Sequence, residues 1–122
     1  MDEKIVLYIE DNFHNRRIVR KILASRGYTV VEAEDGTSGL QMAIELKPKL
    51  ILLDIGLPGI DGMEVAARIK QDENLKDAYV IALTASAMRG DRERFLAAGC
   101  DDYISKPIQA LELIDKVESH YK

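Results

Sequence analysis

The sequence predicts an α/β fold, a doubly wound parallel sheet of five strands with helices on both faces, and three observations lead there. Short apolar runs alternate five times with stretches of helical periodicity, the pattern of repeated β-α units. The runs Ile5-Val6-Leu7-Tyr8-Ile9 and Leu50-Ile51-Leu52-Leu53 are apolar throughout rather than alternating, as expected of strands covered on both faces. Each of them ends in acid: Glu10 and Asp11 after the first, Asp54 after the second. Open α/β sheets place their chemistry at the C-terminal edge of the strands, so three carboxylates should meet there.

Each element has a local reason. The first strand is expected over about Lys4 to Ile9. Asn12 is a good N-cap for a first helix, whose stripe Ile18, Val19, Ile22 and Leu23 faces inward and which Gly27 ends. Tyr28 to Ala33 reads as the second strand. The second helix begins near Thr37 or Ser38, turns Leu40, Ala43 and Ile44 inward and stops before Pro48. Leu50 to Leu53 is the third strand, followed by a Pro58-Gly59 turn. Asp61-Gly62 opens the third helix, with Val65, Ala66 and Ile69 inside. The fourth strand is Ala78 to Leu83, and the fourth helix covers about Met88 to Ala98, with Gly99 as its cap. A short fifth strand lies near Asp102 to Ile104. The fifth helix, from about Gln109 to Tyr121, buries Leu113, Ile114 and Val117. No linker, repeat or low-complexity stretch interrupts the series, so residues 1–122 are expected to form a single domain.

Composition narrows the function classes. Of 122 residues, 31% are charged and 47% hydrophobic, a soluble globular balance, and no apolar run approaches the roughly 20 residues of a membrane span. The start, Met1-Asp2-Glu3-Lys4, leads directly into a strand, which is not the pattern of a secretory signal. The single cysteine, Cys100, has no internal partner and fits a reducing compartment, so a cytoplasmic location is expected. A net charge of −4 argues against binding a nucleic-acid backbone. The basic residues Arg16, Arg17, Arg20, Lys21 and Arg26 read as a solvated helix face.

Residues just past the strands form one constellation. Glu10 and Asp11, Asp54, Thr84 with Ala85, and Lys106-Pro107 should all project from one edge of a right-handed doubly wound sheet. Carboxylates a few ångströms apart repel by about 4 kcal/mol at an effective dielectric near 20. A hard divalent cation with oxygen ligands relieves this, and Mg²⁺ suits one or two carboxylates plus phosphate oxygens. An aspartate can accept a phosphoryl group as an acyl phosphate. Lys106 and the Thr84 hydroxyl would then stabilise the phosphoryl oxygens, while the small Ala85 keeps the approach open. No Gly-rich nucleotide loop is present, so the donor is expected to be another protein or a small phosphodonor.

In these stretches the chain resembles the receiver domain of two-component response regulators. The likeness runs through Tyr8-Ile9-Glu10-Asp11-Asn12, Leu53-Asp54-Ile55-Gly56-Leu57-Pro58, Ala82-Leu83-Thr84-Ala85 and Tyr103-Ile104-Ser105-Lys106-Pro107-Ile108. Thr84 follows Asp54 by 30 residues and Lys106 follows it by 52. Ala87-Met88-Arg89-Gly90-Asp91 and Gly99-Cys100 are further similar to the single-domain DivK-like regulators. The resemblance implies the flavodoxin-like, CheY-like arrangement with strand order 2-1-3-4-5. It implies that Asp54 is the phosphoacceptor, and that Asp11, Glu10, Asp54 and the backbone carbonyl of Gly56 hold Mg²⁺. It also implies that Thr84 and Lys106 contact the phosphoryl group, that Tyr103 is a switch aromatic coupled to Thr84, and that the Lys106-Pro107 peptide is cis.

The expected activity is that of a signalling switch, not a turnover enzyme, that catalyses its own aspartyl phosphorylation and dephosphorylation. Its expected partners are a sensor histidine kinase or histidine phosphotransfer protein and a downstream protein target, with no nucleic acid or membrane and the domain monomeric. The start of the first helix, near Asn15 and Ile18, and the loop after Pro107 are expected to receive the donor. Changes at Arg16 or Asn15 should then slow protein-donor transfer alone. Three other readings remain at this stage: a receiver cut from a hybrid kinase, a flavin-binding flavodoxin-like protein, and a Mg²⁺-dependent aspartyl phosphatase. The last needs a second acid two residues after the nucleophile, where this chain has Gly56.

Overall fold

The computed structural model describes residues 4–57, 59–85 and 91–121, the side chains of Asp91 and Arg92 excepted. Along the chain run β1 (Ile5–Ile9), α1 (Phe13–Ala24), β2 (Thr29–Ala33), α2 (Gly36–Leu46), β3 (Leu50–Asp54), α3 (Gly62–Gln71), β4 (Tyr79–Thr84), α4 (Asp91–Ala98), β5 (Asp102–Ser105) and α5 (Ala110–Tyr121). The strands form one parallel sheet in the order β2-β1-β3-β4-β5. The chain steps outward from β1 to β2, then crosses back to β3 and continues the other way. The β1–β3 boundary is therefore the topological switch point, where the loops diverge and leave a crevice.

Strand pleating divides the interior in two. Leu7 and Ile9 of β1, Ile51 and Leu53 of β3, and Val80 and Ala82 of β4 pack against Ala43 of α2, Val65, Ala66 and Ile69 of α3, and Phe95 of α4. The alternate residues Val6, Tyr8, Leu50, Leu52, Ile81 and Leu83 meet Val19 and Leu23 of α1 and Leu113 and Val117 of α5. Burial of β3 is complete from end to end, which is why its sequence shows no alternation.

Helix starts are fixed by side-chain caps. Asn12, Asp35 and Asp61 accept the backbone N–H of Asn15, Ser38 and Glu64 at 2.9, 2.8 and 3.0 Å. The expected Asn12 and Asp61-Gly62 signals hold, whereas Asp35 moves the start of α2 ahead of Thr37. That helix also presents a different face from the one expected. Gly36, Gly39 and Ala43 are its buried positions, Leu40 is only half-buried and Ile44 is 51% exposed. Close approach to the sheet explains it: a Cβ at Gly39 would stand 2.5 Å from Ile9 Cδ1. A glycine face lets α2 come nearer than Leu40 and Ile44 would allow. The α1 stripe keeps Val19 and Leu23 but leaves Ile18 exposed, and α1 ends at Ala24, with Gly27 in the left-handed region of the turn beyond. The expected helix start at Met88, the Pro58 turn position and the Ala87-Met88-Arg89-Gly90 segment lie outside the described residues. Among the described residues no helix is long and apolar enough to cross a membrane.

Gly62 links the fold to the edge where the acids lie. A Cβ there would come within 2.5 Å of the Asp54 carbonyl oxygen and 2.6 Å of Ile55 Cα, backbone atoms that cannot swing away. We expect Gly62→Ala to destabilise the domain by about 1–3 kcal/mol through this overpacking, read as a lower urea midpoint. The same change at Gly56, where the nearest atom to an added Cβ lies 3.8 Å away, should cost less.

Candidate functional site

Register brings the site together. Ile9 pairs with Leu53, so Glu10 and Asp54 are neighbours across adjacent strands. Asp54 in turn pairs with Leu83, and Thr84 with Ser105, so Thr84 and Lys106 fall one residue past those positions. Parallel strands repeat this offset at about 4.8 Å per strand. Residues far apart in the chain thus share one edge. One ligand atom from each of Glu10, Asp11 and Asp54 lies within 4.8 Å of the others. Asp11 is exposed, while Glu10 and Asp54 are 1% and 5% exposed.

Lys106 joins the two buried acids. Its Nζ donates to Glu10 Oε1 and to Asp54 Oδ1, each at 3.2 Å. The Lys106-Pro107 peptide is cis, as expected, and the Lys106 N–H donates to the Thr84 carbonyl at 2.7 Å. Desolvation alone would lower the Lys106 pKa, but the charges of Asp54 and Glu10 outweigh it and hold the ammonium above its ordinary value. Glu10 is pushed up, first by burial and then by sharing space with Asp54, against the pull of Lys106. The Gly56 N–H donates to Asp54 Oδ1 at 3.1 Å. Both donors converge on one Asp54 oxygen, leaving Oδ2 as the oxygen not engaged by either.

Thr84 is buried at the end of β4, and its strand parity sets it on the sheet face that holds Val80, Ala82 and Tyr103. Ala85 beside it is exposed. The Tyr103 ring is half-buried, with its centroid 6.0 Å from that of Phe95. The donor set of three carboxylates in one cleft consists of hard oxygens, which fits a small divalent cation rather than a soft metal.

Asn15, Ile18, Val19, Lys106, Pro107 and Ile108 line one groove of about 190 Å³ between α1 and the loop after β5, with Lys106 at its edge linking it to the acids. The expected docking elements therefore form a continuous surface. Arg16 is the exception. Rather than lying on a solvated basic face, it is 7% exposed and donates from Nη1 to the Glu10 carbonyl at 2.7 Å. Its guanidinium also faces Glu32 at 3.5 Å and Glu34 at 3.7 Å, tying α1 to the ends of β1 and β2. Spacing alone only allows this position, Arg16 preceding Val19 by three residues and Leu23 by seven; the acids that make its burial tolerable, Glu32 and Glu34, come from another segment. Tyr8 has no mark in the sequence beyond its place in the apolar run of β1. It is fully buried, two residues before Glu10 and on the same face, and its hydroxyl donates to Glu10 Oε1 at 3.1 Å.

This site and sheet are those of a two-component receiver, and the chain belongs to the response regulator receiver domain family, whose model matches residues 6–118. It is 42% identical over 117 residues to the polar-differentiation response regulator DivK of Brucella ovis, covering 96% of this chain and 95% of that one. The DivK of Brucella anthropi is 41% identical over the same coverage. The receiver domain of the sensor histidine kinase PA1611 from Pseudomonas aeruginosa superposes with a TM-score of 0.88 at 36% identity over 97% of both chains. That structure holds a magnesium ion coordinated in its active-site cleft. The chemotaxis protein CheY4 of Vibrio cholerae, at 23% identity, shares the fold with a TM-score of 0.91 over 97% of this chain and 98% of its own. The flavin-binding and phosphatase readings are set aside by the family.

Because Arg16 braces the Glu10 carbonyl from within, Arg16→Ala should lower stability by about 1–3 kcal/mol. Arg17→Ala, on the exposed face, should change it by less than about 0.5 kcal/mol. Urea unfolding of both variants separates the two roles.

Proposed function

We propose that this chain is a phosphorelay switch that takes a phosphoryl group on Asp54 from the phosphohistidine of a sensor histidine kinase or a histidine phosphotransfer protein. The single observation that carries the assignment is the Lys106 ammonium 3.2 Å from the carboxylates of both Asp54 and Glu10. Asp54 Oδ2 attacks phosphorus, the O–P bond forms as the N–P bond of phosphohistidine breaks, and the imidazole nitrogen leaves with the electron pair. Asp11, Asp54 and the Gly56 carbonyl, with Glu10 in support, would hold Mg²⁺, which would supply positive charge to offset the acids and the phosphoryl oxygens. Lys106 turns one of its protons toward a phosphoryl oxygen, and the Thr84 hydroxyl donates to another. The later return step is attack of water on phosphorus, which breaks the O–P bond and releases phosphate from the Asp54 carboxylate.

Phosphorylation replaces the single charge of the Asp54 carboxylate with an acyl phosphate carrying up to about two, a net gain of about one negative charge together with three phosphoryl oxygens that accept hydrogen bonds. Thr84 and Tyr103 share a sheet face, so drawing Thr84 toward the phosphoryl group opens room for the half-buried Tyr103 ring. A few kcal/mol of preference for the closed form is enough to shift the population of a surface built on α4, β5 and α5. A downstream protein reads that surface. The domain works in the cytoplasm as a monomer, residues 1–122 acting as one receiver unit, without contacting nucleic acid or membrane.

Asp54→Asn should abolish acid-labile labelling from both acetyl phosphate and a phosphorylated kinase. Labelling that persists would move the acceptor elsewhere. In the groove beside Lys106, Ile18→Trp should slow transfer from a phosphorylated histidine protein at least about tenfold, in line with a lost interface contact, and leave acetyl phosphate labelling within about twofold. Equal loss from both donors would mean that the pocket, not docking, was damaged.

A further inference from the structure

Among the described residues Glu10 accepts from more donors than Asp54, its buried neighbour in the site. Its Oε1 accepts from three side chains: the Tyr8 hydroxyl at 3.1 Å, Lys106 Nζ at 3.2 Å and Asn15 Nδ2 at 3.5 Å. Among the described residues its Oε2 accepts one hydrogen bond, from the Asn12 N–H at a long 3.3 Å. Lys106 is shared with Asp54, and the Asn15 contact is at the limit of a hydrogen bond. Tyr8 is therefore the donor dedicated to this one oxygen. The phenol ring is fully buried between β1 and its neighbours, so the hydroxyl has little freedom to leave.

We propose that Tyr8 is a positioning residue that sets the cation preference of the acid cluster by pinning Glu10 Oε1, so that Glu10 offers a single oxygen. A carboxylate with both oxygens free can chelate through both, the mode that larger and more loosely coordinated Ca²⁺ accepts readily. A carboxylate with one oxygen committed to a hydroxyl and an ammonium offers only the other. Mg²⁺ takes single oxygens at short distance in octahedral geometry, so the constraint favours it. The hydroxyl at position 8 thus acts on metal choice without touching metal. The inference rests on the reading of Glu10, Asp11 and Asp54 as a Mg²⁺ site.

A double-mutant cycle tests it, with Tyr8→Phe and Glu10→Asp measured singly and together by calorimetric titration with MgCl₂ and with CaCl₂. Tyr8→Phe removes one oxygen and keeps the ring; Glu10→Asp draws the carboxylate out of reach of the phenol. Tyr8→Phe alone should reduce the ratio of Mg²⁺ to Ca²⁺ affinity by about fivefold or more, the scale of one hydrogen bond to a charged group. In the Glu10→Asp background the same change should move the ratio by less than about twofold. A purely structural tyrosine would weaken both metals alike and leave the ratio unchanged, which overturns the proposal, as does an equal shift in both backgrounds. In the unaltered protein, the Tyr8 hydroxyl proton should appear as a slowly exchanging NMR resonance that moves on Mg²⁺ addition; exchange at the bulk rate overturns the pinning even if Tyr8→Phe does not fold. Failure of the unaltered chain to bind Mg²⁺ at all would remove the proposed function and this inference together, whereas Mg²⁺ binding with an unmoved ratio removes only the latter.

Discussion

Two carboxylates placed side by side across a strand gap, and both almost withdrawn from water, are the constraint around which this molecule is arranged. Glu10 and Asp54 would repel strongly in such surroundings. Their proximity is tolerated because Lys106 bridges them and because Tyr8, Asn12, Asn15 and Gly56 supply further donors to their oxygens. Removing charge from this cluster by pairing leaves it compact; adding charge to it demands that cations and donors rearrange. That sensitivity to added negative charge is the physical content of a switch operated by phosphorylation.

The parallel sheet makes the arrangement rigid. Asp54 is the last residue of a strand buried along its whole length and hydrogen-bonded on both sides, so its backbone has no freedom to relieve the repulsion. Loops that leave β1, β3, β4 and β5 on the same edge bring acids, hydroxyl and ammonium to a common crevice, the place where this architecture leaves space. Gly62 contributes from the far side of the loop, letting α3 start directly against the backbone of Asp54 and Ile55. Packing and function are coupled here through van der Waals contact as much as through charge.

Behind the acids lies a supporting layer whose members look like structure when taken singly. Arg16 grips the Glu10 carbonyl and faces Glu32 and Glu34, while Tyr8 reaches Glu10 from below along the strand. Both are buried polar groups with satisfied partners, which is the condition for their being tolerated in the interior. Their cost is desolvation; their return is a carboxylate with a fixed orientation, and fixed orientation is what a metal or phosphoryl site needs from its surroundings.

Much of this was legible in residue order. Uniformly apolar runs ending in Glu10, Asp11 and Asp54, the Thr84 and Lys106 positions, and the helix signals at Asn12 and Asp61 are local features, and local chemistry expresses them directly. The face of α2 and the fate of Arg16 were not legible in the same way. The first depended on how closely Gly39 lets a helix approach Ile9, and the second on Glu32 and Glu34 arriving from another strand. By itself the sequence determined which residues could do chemistry and the edge of the sheet at which each would emerge, because strand period and turn chemistry are short-range. Only the tertiary structure decided which oxygen of Glu10 is held, by whom, and which arginine is inside, because those outcomes are set by contacts between segments that meet only after the sheet has closed its register.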